Sequence, residues 1–112
     1  MTDPFRARIR VRYAECDPQG IAFNARWGDW LDLATTELLR AVLGTPSSID
    51  YRLVDQHTTW LRPAHFDDVV ELVPRVERVG RTSFEVHTSC SVNGREHVRA
   101  VTTYVRVVDG EK

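Results

Sequence analysis

Residues 13–27 read YAECDPQGIAFNARW, and this stretch joins two segments of different hydrophobic period. Apolar residues alternate with arginines before it, and they recur at three- and four-residue steps after it. Asp17-Pro18 followed by Gly20 is typical of a turn. Asp17 therefore lies between a strand and the start of a helix, where unpaired N–H groups and partial positive charge favour an anion. Such a carboxylate can be catalytic, hold a ligand or only stabilise the turn.

The segment Phe5–Tyr13 predicts a half-buried strand, because every second residue is apolar or aromatic. Arginines fill the positions between them and share the other face of the strand. An arginine stripe can bind RNA or phosphate, but a solvated or subunit-facing sheet surface is the favoured interpretation. The apolar positions are Phe5, Ala7, Ile9, Val11 and Tyr13, and the arginines are Arg6, Arg8, Arg10 and Arg12.

The residues from about Ala25 to Leu43 predict one long amphipathic helix. Gly44 is a natural stop after its last turn, and Pro46 prevents continuation. Two tryptophans in its apolar stripe indicate a large surface to fill, such as a sheet wrapped around the helix. The stripe comprises Trp27, Trp30, Leu31, Ala34, Leu38 and Val42.

After a polar linker around Thr45–Asp50, the remaining chain predicts four strands. Asn93-Gly94 is a strong hairpin signal between the last two of them. The order β-α-β-β-β-β predicts an α+β fold in which five antiparallel strands curl around the helix, and pairing at an exposed sheet edge predicts a homodimer. The four predicted strands are Val54–Leu61, Val69–Val79, Thr82–Val92 and Arg95–Val108.

Composition narrows the function. A chain of 112 residues indicates a single domain, residues 1–112. A net charge of −1 argues against nucleic-acid binding, and no apolar run is long enough to span a membrane. Cys16 and Cys90 lie far apart, which favours reduced thiols in the cytoplasm, with Cys16 as a core residue rather than a nucleophile. The four histidines lack ligand spacing, so no metal site is expected.

The order of elements, with CDPQGIAF before the helix and WLDLA within it, resembles the hotdog-fold acyl-CoA thioesterases. The most similar branch is that of the 4-hydroxybenzoyl-CoA thioesterases, in which an Asp-Pro-x-Gly-Ile turn precedes a helix containing Trp-Leu-Asp. Two downstream strings, HFDDVVEL and RTSFEV, also resemble that branch. The similarity extends from about Ile9 to Val107, and it implies a hotdog fold, one long central helix wrapped by a five-stranded antiparallel sheet.

The resemblance also implies roles for individual residues. Asp17 matches the catalytic carboxylate, acting as nucleophile or as general base toward water. Asp32 matches a helix aspartate that binds a phenol on the substrate, and Trp27 and Trp30 are further pocket candidates. The implied partners are a coenzyme A thioester and a second copy of the chain in a dimer or tetramer, with no metal or other cofactor. The loop Gly20, Phe23 and Asn24 is implied to polarise the thioester carbonyl, and Arg81, Thr82 and Ser83 to contact coenzyme A.

Some positions depart from the branch pattern. Asn24 replaces an aromatic residue, and Ala25 and Arg26 replace asparagine or proline, so the acyl group can differ. A more basic cluster before Ser-Phe is reduced to Arg81, which makes other arginines candidates for the phosphates (Arg62, Arg75 and Arg78). Two alternatives stay open: a hotdog dehydratase, which typically needs a histidine near the helix, and a non-catalytic hotdog that binds an acyl-CoA or acyl carrier.

Overall fold

A computed structural model describes residues 4–44 and 50–107 of the chain. In these residues, a five-stranded antiparallel sheet in the order β1-β3-β4-β5-β2 packs against one long helix. This is the predicted α+β hotdog architecture. The elements are β1 (Ala7–Arg10), α1 (Asn24–Leu43), β2 (Tyr51–Trp60), β3 (Val69–Val79), β4 (Ser83–Val92) and β5 (Arg95–Arg106).

The first strand is shorter than its alternation predicted. β1 pairs with β3 only from Ala7 to Arg10, and a 3-10 turn follows at Tyr13–Glu15. Val11 continues the buried face, but Tyr13 is 80% exposed. The prediction that the strand reaches Tyr13 was therefore wrong, because the chain leaves the sheet there to enter the turn before the helix.

The helix begins one residue before its predicted start and ends at Leu43, as predicted. Gly44 follows with a φ of 87°, a conformation that glycine adopts without strain, and its N–H donates to Arg40 O at 2.9 Å. Burial follows a row of residues four apart, so the predicted end of the stripe at Val42 was wrong, and Val42 is 69% exposed. The row is Trp27, Leu31, Thr35 and Leu39, with Trp30 and Ala34 buried beside it.

The strands after the helix agree with the predicted order and differ at their ends. β2 begins three residues before the predicted Val54, β4 begins at Ser83 and β5 ends at Arg106. The Asn93-Gly94 turn is confirmed, with φ values of 52° and 80° that favour these two residue types. The predicted linker residues 45–49 and the predicted strand end at Val108 lie outside the described residues.

The helix lies closest to β3 and β1, so the far edge of the sheet is less covered. β2 forms that edge, and Leu53 and Trp60 stand opposite the buried Tyr104 and Val98 of β5. Directly opposed residues share one face of a sheet, which places both side chains on the inner face. They are nevertheless 45% and 46% exposed. This edge of the inner face therefore carries an exposed apolar side chain near each of its ends.

The two cysteines are free thiols that do not pair with each other. Cys90 lies in the core, and Cys16 is half-buried against it. Neither described range, 4–44 or 50–107, contains a helix long and apolar enough to cross a membrane.

Two leucines of α1 test this arrangement. Leu31 is 1% exposed, whereas Leu33 is 41% exposed. We expect Leu31→Ala to lower the free energy of unfolding by about 2–5 kcal/mol, because it leaves a cavity beneath the sheet. The matched change Leu33→Ala should cost about 0.5 kcal/mol or less. Urea unfolding followed by tryptophan fluorescence measures both, and equal losses would contradict the assigned helix face.

Candidate active site

Asp17 holds the turn before the helix through one of its two carboxylate oxygens. Its Oδ1 accepts the backbone N–H groups of Gln19 at 2.8 Å and Ile21 at 3.1 Å. Its backbone N–H donates to Ile21 O, and Gly20 N–H donates back to Asp17 O, both at 2.9 Å. Among the described residues, no group donates a hydrogen bond to Oδ2. The carboxylate is thus fixed in orientation while one oxygen is left for chemistry.

The Asp17 turn is itself fixed to a neighbouring segment. Ala22 N–H donates to Ala64 O at 2.9 Å, and Phe66 N–H donates to Gly20 O at 2.8 Å. Gly20 adopts a φ of 80°, which a side chain would strain. Because the loop is hydrogen-bonded both within itself and to residues 64–66, it forms a rigid support for the Asp17 carboxylate. The sequence did not reveal the pairing with residues 64–66.

The helix begins close to this turn. Phe23 is the N-cap residue and provides no side-chain cap, so Asp17 is not a helix cap. Arg26 N–H donates to Phe23 O at 3.0 Å, and the first N–H groups of a helix, here those of Asn24 and Ala25, have no intrahelical acceptor. These donors and the positive end of the helix favour an oxyanion. Phe23 and Asn24 are both exposed.

A second carboxylate, Glu15, is buried beneath the turn and was not found from the sequence. Its Oε1 accepts Arg12 N–H at 2.8 Å, and its Oε2 accepts the Arg12 guanidinium and Trp30 Nε1–H, each at 3.2 Å. The hydrogen bond from Arg12 lowers the pKa of Glu15, although burial opposes it. The alternation of the first strand did not signal it, because that alternation ends before the turn, where Tyr13 is exposed.

The two predicted substrate-binding residues of the helix differ in exposure. Trp27 is 2% exposed and packs edge-to-face on Trp30, with 4.8 Å between ring centroids, so it supports the helix from within the core. Asp32 is exposed and faces β5. Burial first, and also the charge of Asp32, raise the pKa of Tyr104 to about 12. The Tyr104 hydroxyl is buried without a hydrogen-bond partner among the described residues.

Arg81, Thr82 and Ser83 lie at the opposite end of the helix from Asp17. They form the turn between β3 and β4, where Gly80 N–H donates to Ser83 O at 2.7 Å. Together with the last turn of α1 they line a groove of about 520 Å³. Arg106 also lines this groove, and neither it nor Arg81 forms an ion pair with a described residue. One protomer therefore does not bring this turn to Asp17.

A cysteine nucleophile and a metal site have less support in this region than a carboxylate. Burial and the charge of Asp17 raise the pKa of the Cys16 thiol, which disfavours the thiolate. Within residues 4–44 and 50–107, no three His, Cys, Asp or Glu side chains group as metal ligands. Asp17 stays the candidate carboxylate of the loop before α1, because Glu15 is buried and engaged by Arg12 and Trp30.

A single helix packed on a five-stranded antiparallel sheet is the architecture of a hotdog protein. The chain belongs to the thioesterase superfamily, because the model of that family matches residues 19–90. The match begins two residues after Asp17, so the family assignment does not depend on that carboxylate. Comparison with curated protein sequences gives no significant match.

Solved structures of thioesterases share the fold over almost the whole chain. A probable thioesterase from Bartonella henselae is 18% identical, with a TM-score of 0.90 over 98% of this chain and 96% of its own. The 4-hydroxybenzoyl-CoA thioesterase of Pseudomonas sp. strain CBS-3 is 21% identical, with a TM-score of 0.81 over 94% and 85%. A thioesterase from Thermus thermophilus, solved with coenzyme A and Zn, is 23% identical, with a TM-score of 0.86 over 95% and 81%.

The buried Glu15 gives a pH-dependent prediction. A carboxylate whose folded pKa is lowered stabilises the protein above its ordinary value of 4.5, and this contribution is lost as the pH falls through the folded pKa. We expect Glu15→Gln to cost about 1–3 kcal/mol at neutral pH. The difference from the native protein should shrink below pH 4.5. Urea unfolding across this range measures it, and a constant difference would contradict an ionised Glu15.

Proposed function

We propose that this protein hydrolyses an acyl- or aroyl-CoA thioester, with Asp17 as the catalytic carboxylate. The observation that carries the proposal is that the two carboxylate oxygens of Asp17 have different environments. Backbone N–H groups hold Oδ1, and no described group donates a hydrogen bond to Oδ2. Thioester hydrolysis needs a nucleophile or base near the carbonyl and donors for the developing oxyanion. The start of α1, next along the chain, supplies such donors.

The chemistry follows from this geometry. The thioester carbonyl oxygen accepts hydrogen bonds from the backbone N–H groups of Asn24 and Ala25, and the carbonyl carbon faces Asp17. Oδ2 then either attacks that carbon or takes a proton from an attacking water. In the first route a C–O bond forms, the C–S bond breaks, the electron pair leaves with the coenzyme A sulfur, and water hydrolyses the mixed anhydride. In the second route the water oxygen bonds to the carbon, the C–S bond breaks with its electron pair on sulfur, and the proton taken by Asp17 passes to that sulfur, which gives the free acid and coenzyme A directly.

The substrate is proposed to extend from Asp17 across two protomers. A helix of 20 residues is about 30 Å long, and it separates Asp17 from Arg81 within one chain. A site that uses both residues needs a second copy. Edge-to-edge pairing through β2 supplies one, because β2 is a long outer strand whose inner face exposes Leu53 and Trp60.

A two-fold axis through the paired β2 edges, perpendicular to the sheet, reverses the direction of the second helix. The start of one helix and the end of its partner then lie at the same end of the dimer. We propose that Asp17 and the donors of one protomer act with the partner's turn at that end, where Arg81, Thr82, Ser83 and also Arg106 offer cations and hydroxyls to the phosphates of coenzyme A. Asp32, on the exposed side of the helix, is proposed to contact the acyl group.

Asp17→Asn tests the catalytic role with little risk to the fold. The amide oxygen can still accept the Gln19 and Ile21 N–H groups, while the nucleophilic or basic oxygen is lost. We expect kcat/KM for the best substrate in a panel of aliphatic and aromatic acyl-CoA thioesters to fall by about 10²–10⁴-fold. The exposed helix carboxylate variant Asp29→Asn is the matched control and should retain native activity. Unchanged hydrolysis by Asp17→Asn would remove Asp17 from the mechanism, and no hydrolysis by the native protein would favour a binding module.

Mixing two impaired variants tests whether each site is built from two chains. We expect Asp17→Asn and Arg81→Glu homodimers each to be impaired at subsaturating substrate. After unfolding and refolding together, half of the dimers are mixed, and each has one intact site. Activity should therefore return to about a quarter of native. No recovery, with mixed dimers demonstrated by mass spectrometry, would mean that Asp17 and Arg81 do not serve the same site across chains.

A further inference from the structure

The side chain of Glu15 joins two elements that the proposed reaction requires. It is 7% exposed, and its carboxylate accepts hydrogen bonds from Arg12, which precedes the turn, and from Trp30 on α1. A buried carboxylate is costly unless donors surround it, and a partly satisfied one is worse than an apolar residue. The three donors here come from both sides of the turn, so the carboxylate fixes where the turn sits against the helix.

The backbone of Glu15 makes the same connection. Its carbonyl oxygen accepts Phe23 N–H at 3.0 Å, and the next residue, Cys16, pairs with Ala22 in an antiparallel bridge. Residues 15–23 therefore form a closed loop with Glu15 and Phe23 at its base. Asp17 lies two residues after one end of this base, and the Asn24 N–H lies one residue after the other. The position of Glu15 thus fixes the distance between the carboxylate and the helix donors.

We propose that Glu15 is a positioning residue of the active site, which holds the Asp17 loop and the start of α1 in the arrangement that the transition state needs. The effect of Glu15 on the reaction rate rests on the proposed function. The connection that Glu15 makes between the loop and the helix does not, because it is a property of the folded chain. Small displacements of positioned groups have large effects on rate, since a reacting group must stay within a few tenths of an ångström of its working position.

Glu15→Gln breaks this tie selectively. The amide oxygen can still accept Arg12 N–H, but the amide nitrogen is a donor and then faces two other donors, Trp30 Nε1–H and the Arg12 guanidinium. The backbone hydrogen bond on the loop side is kept, whereas the hydrogen bonds from the Arg12 guanidinium and from Trp30 on the helix side are lost. Val98→Ala is a suitable control, because Val98 is 0% exposed on β5, outside residues 15–23, and its truncation destabilises the core while every hydrogen bond of Glu15 keeps its partners.

The experiment compares steady-state kinetics and amide hydrogen exchange for native, Glu15→Gln and Val98→Ala proteins at a temperature where both variants stay folded. We expect Glu15→Gln to lower kcat about tenfold with KM nearly unchanged, because substrate contacts remain while the reacting groups are displaced. Exchange at the Ile21 and Phe23 N–H groups should accelerate. Val98→Ala should show neither effect. If Glu15→Gln behaves like Val98→Ala in both readouts, Glu15 is merely structural and the proposal is overturned.

Exchange separates this proposal from the proposed function. If the native protein hydrolyses no thioester but Glu15→Gln still accelerates exchange at Ile21 and Phe23, the tie between loop and helix is supported although the activity is wrong. If exchange at these two amides is unchanged, the tie is overturned whatever the kinetics show. The fall in kcat of Glu15→Gln is read as an effect on catalysis once Asp17→Asn has been shown to lower hydrolysis as expected.

Discussion

The joining of the Asp17 loop to the helix through the buried Glu15 carboxylate is the interaction on which the rest of the site depends. Trp30 provides the donor from the helix side, and the same tryptophan is buried in the core cluster that includes Leu72 of β3 and Cys90 of β4. The hydrophobic packing of α1 and the polar contact with the loop therefore share one side chain. A helix displaced along the sheet would break both at once, so the energy that holds the helix in place also holds the loop.

The position of the helix over β3 and β1 determines what the other edge of the sheet offers. β1 is a short edge with arginines that contact acidic neighbours: Arg8, within the strand, and Arg6, just before it, both contact Glu71. β2 is a long edge with exposed Leu53 and Trp60. Charged short edges resist pairing, whereas a long edge with an open apolar face favours it. The two edges are thus chemically unequal, and this inequality favours pairing through β2 in the proposed dimer.

The spacing of apolar residues predicted most of the strands and the helix. The predictions were wrong where tertiary contacts override that spacing. The alternation through Tyr13 could not show that the chain leaves the sheet after Val11, because Val11 is held by the distant Asp67 and Asp68 and hydrogen bonds between Arg12 and Glu15 then form the turn. Val42 fits a helical stripe, yet it is exposed because contact follows the row through Thr35 and Leu39. Asp17 and the helix start were predictable as neighbours in sequence. The burial of Glu15 depends on Trp30, fifteen residues away, and charge alone suggested an exposed side chain.

The turn-forming and catalytic interpretations of Asp17 are compatible, because they concern different oxygen atoms. An aspartate that only caps a turn needs one acceptor, and Oδ1 fulfils that role. A carboxylate that acts on a substrate needs a second oxygen at a defined place, and the same hydrogen bonds define where Oδ2 points. Asparagine would fold the turn equally well, so stability alone does not require an ionised group there. The proposed hydrolysis supplies the reason for a carboxylate instead of an amide at this position.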